Sequence, residues 1–234
     1  TDTGEELIKI DEGLERIAKA KWSKDETKIL FPNGIGDATT GKILTKFEHD
    51  TEFIYEATWN HAESKVLTLS GNSGTSSVLI WNAVTGQELV EFNGHTGWLY
   101  QAIWNQDDSK ILTTSGNQSV TDNDNTARIW DAKTGNELIR FVGHTHPVNQ
   151  AAWNEDESKI LTRSEDGTAR IWDATTGKEL VKFEDGMSRI DQSFWNQNES
   201  KILTQDDSSV RIWDASTGKQ LLKLEGDREH FDLV

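Results

Sequence analysis

An all-β fold of five repeated, four-stranded antiparallel units is predicted for this 234-residue chain by three observations. A Thr-Gly dipeptide recurs at 3–4, 40–41, 85–86, 134–135, 176–177 and 217–218, intervals of roughly 40 residues that mark a repeat architecture. Between recurrences lie four short apolar runs, too brief for helices and rich in β-branched and aromatic side chains. Turn residues separate the runs. The fourth unit shows the order: Val148–Trp153 (strand a), Lys159–Thr162 (b), Thr168–Trp172 (c) and Glu179–Phe183 (d), with Asn154-Glu155-Asp156, Glu165-Asp166-Gly167 and Thr176-Gly177 at the turns.

A sheet that is apolar on both faces is unstable alone, so successive sheets must stack, and a closed ring of them is a β-propeller. Blades are expected at about 14–47, 51–92, 96–141, 145–183 and 187–224, in one domain spanning 1–234, with a further d-type strand at 5–10. The first blade reads as degenerate. Ile35-Gly36-Asp37 stands where later units have Ile-Trp-Asp, and Phe31-Pro32-Asn33-Gly34 is short for a b-to-c segment. Six d-type strands serve five a–b–c sets, because Glu6–Ile10 and Gln220–Leu224 claim one place. The surplus strand is expected to close blade five and release the C-terminal strand, to stay free, or to join a neighbouring chain. A larger or multi-chain propeller is therefore the alternative to a five-bladed ring. With neither an initiator Met nor a signal pattern at Thr1, and with 226–234 resembling the start of another repeat, a processed or excised piece is expected.

Gly143-His144 before strand a, Ser164 on strand b, Asp166 in the b–c turn and Trp172-Asp173 ending strand c resemble the WD-repeat (WD40) family. The near-identity of the units is similar to highly repetitive prokaryotic members, which serve as sensor or scaffold regions. The resemblance covers most of the chain. It implies a hydrogen-bonded chain of His144, Ser164, Asp166 and Trp172 across the fourth blade, and of His95, Ser115, Asp124 and Trp130 across the third, all structural in role. Asp50 takes the histidine place in the second unit and Gly186 in the fifth.

Composition narrows the functions. A net charge of −16 repels phosphate backbones and anionic lipid heads, which argues against nucleic acid and membrane partners. The absence of cysteine removes disulfides, thiolate metal sites and cysteine nucleophiles, and the cytoplasm is the expected compartment. Catalytic look-alikes dissolve on inspection. Gly36-Asp37-Ala38-Thr39-Thr40-Gly41-Lys42 imitates a phosphate loop, but Ile43 follows where Ser or Thr should hold magnesium. Asp122-Asn123-Asp124-Asn125 lacks the glycine and final acid of a calcium loop, these places being Ala127 and Lys133. His144 and His146 have no third metal ligand. No catalytic residue, metal or cofactor is expected, and the acidic a–b turns read as a solvated rim.

What the repeats share serves the blade; what departs from the shared pattern is free for function. Trp98 is the one tryptophan out of register, and Phe53, Tyr55 and Tyr100 occupy equivalent places at the starts of a strands. The other units carry Arg16, Asn149, Arg189 and Asp191 there. Arg16, Phe53, Tyr55, Trp98, Tyr100, Asn149, Arg189 and Asp191 are thus expected to surround a channel mouth that binds a protein or peptide, aromatic and Arg side chains being common anchors. The competing expectations are a recently amplified or engineered propeller with no ligand and, third, an enzyme with its site in the channel.

Overall fold

The computed structural model describes residues 19–48, 53–72, 75–117, 124–184, 186 and 189–226. Each repeat forms one sheet. The first contains β1 (Lys21–Trp22), β2 (Lys28–Phe31), β3 (Gly34–Asp37) and β4 (Ile43–Lys46); the second β5 (Phe53–Trp59), β6 (Lys65–Asn72), β7 (Thr75–Asn82) and β8 (Glu88–Phe92). The third holds β9 (Trp98–Trp104), β10 (Lys110–Gly116), β11 (Ala127–Asp131) and β12 (Glu137–Phe141), and the fourth β13 (Val148–Trp153), β14 (Lys159–Ser164), β15 (Ala169–Asp173) and β16 (Glu179–Phe183). The fifth is β17 (Gln192–Trp195), β18 (Lys201–Gln205), β19 (Ser209–Asp214) and β20 (Gln220–Glu225). In every sheet the strands neighbour one another in chain order, giving five antiparallel propeller blades. Among the described residues no helix is long and apolar enough to cross a membrane.

Contacts divide the chain into two compact units, one of Thr1–Gly94, Ala102–Ile111 and Asp131–Asn136, the other of His95–Gln101, Leu112–Trp130 and Glu137–Val234. In the first, Leu30, Ile35, Phe47, Val66, Leu79 and Trp81 form a buried cluster. In the second, Leu161, Ile171, Phe183, Ile190, Ile202 and Trp213 form another.

Two repeating details have a physical cause. The c–d register slips at the c-strand Trp, as where Ile171 faces Val181 but Trp172 faces Glu179. The slip leaves one leucine per blade outside the ladder, namely Leu44, Leu89, Leu138, Leu180 and Leu221. These five exposed leucines are bulge residues of the outer strand. The Thr-Gly signal is explained at Gly86 and Gly177, whose φ angles are +71° and +72°. A Cβ on Gly86 would lie 2.2 Å from the Lys46 carbonyl of the preceding blade, and one on Gly177 3.1 Å from that of Arg140. Glycine is required there both by the turn and by close approach to the neighbour.

The first blade, degenerate in its residues and short in its strands, is still four-stranded, with β3 and β4 paired from Gly34–Lys46 to Gly36–Ile43. Two expectations change. The outer place of blade five belongs to the C-terminal strand β20, which is paired to β19 from Ser209–Glu225 to Trp213–Gln220 and is not released; strand 5–10 lies outside the described residues. The a–b turns are more than a solvated rim. Glu63 accepts the Lys24 amide of the preceding turn at 2.6 Å. Asp108 accepts Asn60 Nδ2 and the amides of His61 and Ala62, and Glu199 accepts Asn154 Nδ2 and the Glu155 amide. Each acid, held at positive φ, clips its own blade to the one before.

Candidate functional site

The blade-crossing hydrogen bonds decide which polar side chains are free to act. In blade four, Trp172 Nε1 donates to Thr162 Oγ1 at 2.8 Å, His144 Nε2 lies 2.8 Å from the same oxygen, and His144 Nδ1 is 2.9 Å from Asp166 Oδ2. Blade three repeats this with Trp130, Thr113, His95 and Asp124 at 2.8, 2.7 and 2.6 Å. Because the ionised aspartate can only accept, the proton of the neutral imidazole sits on Nδ1 and is donated to it, so Nε2 accepts from the threonine hydroxyl, whose oxygen in turn accepts the indole N–H. The neutral tautomer is thereby imposed.

The relay therefore runs through threonine, which corrects the serines implied by the resemblance. Ser164 Oγ donates instead to the His146 carbonyl at 2.8 Å and accepts the Asp166 amide, while Ser115 Oγ is buried without a hydrogen-bond partner among the described residues. Strand b carries threonine two residues before each of these serines, on the face that holds the c-strand Trp. Any likeness of this relay to a catalytic set is one of form. Thr113 and Thr162 are fully buried, so no substrate reaches their hydroxyls.

Elsewhere the relay is trimmed. Trp81 Nε1 meets Thr68 at 2.7 Å in blade two, where Asp50 lies outside the described residues. In blade five Trp213 meets Thr204 at 2.8 Å, and a Cβ on Gly186 would touch nothing within 4 Å. The b–c turn is one residue shorter there, so Asp206 stands at the Ser164 register and takes Ser208, Ser209 and Arg211 as donors. Blade one has neither partner: Phe31 stands at the threonine register and Gly36 at the tryptophan register.

Burial drives the His95 and His144 pKa values down, only partly offset by Asp124 and Asp166. Burial opposes ionisation of the two aspartates too, but the histidine and threonine donors hold both below the usual range. An unfolded histidine titrates near pH 6.5 and an unfolded aspartate near 3.9. As pH falls through 6.5 the unfolded chain takes protons that the folded histidines refuse, and below about 4 it takes those refused by the aspartates, so stability falls in both windows. Melting temperature is expected to be level above pH 7, to decline from 6.5 to 5, and to drop more steeply below 4. In a His95→Asn/His144→Asn variant the upper phase should vanish; a wild-type melt unchanged between pH 7 and 5 contradicts the assignment.

The side chains singled out at the a-strand starts are described unit by unit. On β5, Phe53 is 54% exposed and Tyr55 is half-buried. On β9, Trp98 and Tyr100 are 46% and 38% exposed. Burial, then the charge of Glu165, raises the Tyr100 pKa, so the phenol stays protonated beside that carboxylate. Glu165 accepts Asn149 Nδ2 at 3.2 Å, while Asn149 Oδ1 has no hydrogen-bond partner among the described residues. Gln101 ties the blades together by accepting the Ala151 amide at 2.8 Å. Arg189 Nε pairs with Asp191 Oδ1 at 2.8 Å. Burial, followed by Asp207, raises the Asp191 pKa against the pull of Arg189. A cleft of about 160 Å³ lies beside it, lined by Asp191, Gln205, Asp206, Asp207, Ser209 and Val210. Arg16 falls outside the described residues.

Arg163 and Glu165 were missed by the sequence reading. Arg163 Nη1 donates to the Ile190 carbonyl at 2.7 Å and its Nε to Gln150 Oε1 at 3.2 Å, and its charge is felt by Asp191. The signal was available: strand b has Leu69, Thr114 and Gln205 at the equivalent place, so Arg163 is its one cation. No group of three or more His, Cys, Asp or Glu suited to a metal occurs among the described residues.

Two segments, residues 86–131 and 135–173, match the family model described as WD domain, G-beta repeat. No curated protein matches the chain. Among solved structures, the chain is similar to the computationally designed Ika8 protein at 23% identity, with a TM-score of 0.70 over 89% of this chain and 61% of that one. The chain thus spans about three-fifths of the length of that designed protein.

Proposed function

We propose that this WD-repeat propeller is a non-catalytic scaffold or sensor module of the cytoplasm, binding a protein or peptide at the starts of its a strands. The observation that carries the reading is the exposure of Trp98 and Tyr100, which the blade repeat does not need, with Tyr100 in the field of Glu165, the acceptor of Asn149 Nδ2. Rigid aromatic rings with a hydrogen-bonding rim are the usual composition of a binding patch. Arg189 and Asp191 add a polar pair at the same strand position, and Phe53 and Tyr55 on β5 are a separate aromatic pair of the same kind. A partner suited to this chemistry carries an apolar or aromatic side chain next to a cation, the ring resting on Trp98 and the cation on Glu165.

The test is selection from a displayed peptide library against the intact chain, followed by titration of selected peptides. A Trp98→Ala/Tyr100→Ala variant should bind them at least tenfold more weakly, about 1.4 kcal/mol, with an unchanged melting temperature. Undiminished binding moves the site elsewhere; a collapsed melt makes the rings packing elements. If no peptide is selected, the propeller without a ligand is the better reading.

A further inference from the structure

Of the five c–d turns, those at 37–42, 131–136, 173–178 and 214–219 each open on an aspartate, whereas the turn at 82–87, Asn-Ala-Val-Thr-Gly-Gln, holds no ionisable side chain. Asn82 keeps the geometry. Its Oδ1 accepts the Val84 and Thr85 amides at 2.9 Å, as Asp173 Oδ1 accepts those of Thr175 and Thr176. The turn therefore does not depend on the charge, and here the charge is absent. Val84 stands where the other turns have Thr39, Lys133, Thr175 and Ser216, and it is 78% exposed. A single exposed valine needs no explanation, but this one is not alone.

Val84 lines a cleft of about 190 Å³ where blades one and two meet, together with Lys28, Ile35, Leu44, Thr45 and Ala83, all within the first compact unit. Ile35 and Ala83 are buried and give the cleft an apolar interior. Thr45 donates its hydroxyl proton to the Ala83 carbonyl at 3.0 Å, which joins the two blades and leaves that proton unavailable to a ligand. Val84 and the bulge residue Leu44, 47% exposed, are its apolar edges. Lys28 is the charged residue among the six. It faces Asp37 across the β2–β3 ladder, but Asp37 Oδ1 takes the Thr39 and Thr40 donors of its own turn, and the Lys28 ammonium makes no ion pair among the described residues.

We propose that this cleft binds an aliphatic carboxylate of about six carbons, its chain between Leu44 and Val84 and its carboxylate on the Lys28 ammonium. The size follows from the volume, since an apolar cavity of about 150 Å³ holds a six-carbon ring. The sign follows from Lys28. The net charge of −16 opposes an anion at long range, but at physiological salt it is screened beyond about 8 Å, so the nearest cation decides. The site is separate from the peptide site proposed above and does not depend on it.

Titration of the full chain with sodium hexanoate at constant ionic strength, followed by the methyl resonances of Val84, Leu44 and Ile35, tests this. The three should shift together and saturate, with a dissociation constant of about 1–10 mM, the strength open to a ligand of about eight non-hydrogen atoms that stays partly in water. Hexanol should bind at least threefold more weakly. In Lys28→Gln hexanoate should fall to the hexanol level while hexanol is unaffected, and Val84→Asp should abolish binding of both; each position is exposed, and an unchanged melting temperature will show that folding is retained. Trp98→Ala/Tyr100→Ala should bind hexanoate as the wild type does. Three results overturn the proposal: resonances that do not move, as when residues outside the described set fill the cleft; shifts that fail to saturate or that appear equally at the bulge residues Leu89 and Leu138; and hexanol bound as tightly as hexanoate.

Discussion

Replacing Trp172 with alanine is expected to lower folding stability by about 3–5 kcal/mol, the usual loss for a large aromatic side chain truncated in a core. The side chain is 1% exposed and is held from four directions. Its indole N–H donates to Thr162, Phe141 stacks on it at 5.7 Å, His144 meets its edge at 6.0 Å and the Arg170 guanidinium lies 5.9 Å from its ring centroid. Truncation opens a void between blades and removes the donor that orients the Thr162 hydroxyl toward His144. That loss is a large part of the 5–15 kcal/mol by which a domain is ordinarily stable. Equilibrium urea unfolding measures it, with Trp98→Ala as the control. Trp98 is half exposed, and its loss should stay within about 0.5 kcal/mol, as for surface changes. Equal effects from the two tryptophans would contradict the division between blade residues and binding residues.

The second large effect is expected in blade one and is a coupling. Gly36 faces Ile29 across β2 and β3, as Trp172 faces Ile160 across β14 and β15. Phe31 occupies the register of Thr162, and a Cβ on Gly36 would lie 3.0 Å from its ring. The aromatic ring has moved from strand c to strand b. Gly36→Trp alone should overpack the blade by about 1–3 kcal/mol or more, and Phe31→Thr alone should leave a void worth about 3–5 kcal/mol. The double variant restores the threonine–tryptophan pair of the other four blades, so its loss should fall short of the sum by 2 kcal/mol or more, at the upper end of the usual range for residues in contact. A double-mutant cycle by urea unfolding reads this coupling, and strict additivity would sink the swap.

The swap shows where reading the sequence stops. Gly36 was legible as a departure from Ile-Trp-Asp, but its compensation at Phe31 was not, since a phenylalanine on a strand is unremarkable until the register sets it over the missing ring. Hence blade one, degenerate at the c-strand tryptophan, is a four-stranded sheet whose gap is filled from strand b on the same face. The relay behaves likewise. Ser115 and Ser164 stand out because the family resemblance names them, whereas Thr113 and Thr162 look like ordinary β-formers. Thr162 and Ser164 share the face of the tryptophan, so alternation does not separate them; only the register, which brings Thr162 Oγ1 to 2.8 Å from the indole nitrogen, shows which hydroxyl completes the relay.

For the candidate site, the aromatics Phe53, Trp98 and Tyr100 stood out because the three other units do without aromatic rings at those positions, and all three are exposed. Glu165 and Arg163 were not. Their importance comes from nearness to Tyr100, Asn149 and Ile190, residues on other strands or in another blade.

By itself the sequence determined the local and periodic features: the count of blades, the order of strands within each, the glycine turns and the absence of cysteine chemistry. These depend on backbone preference and on alternation along one strand, interactions that span a few residues. The tertiary structure decided the partners. It placed threonine rather than serine between histidine and tryptophan, turned the acids of the a–b turns into clips between blades, and gave the outer place of blade five to β20. Those outcomes are set by contacts across sheets and between blades, where distance in space bears no fixed relation to distance along the chain.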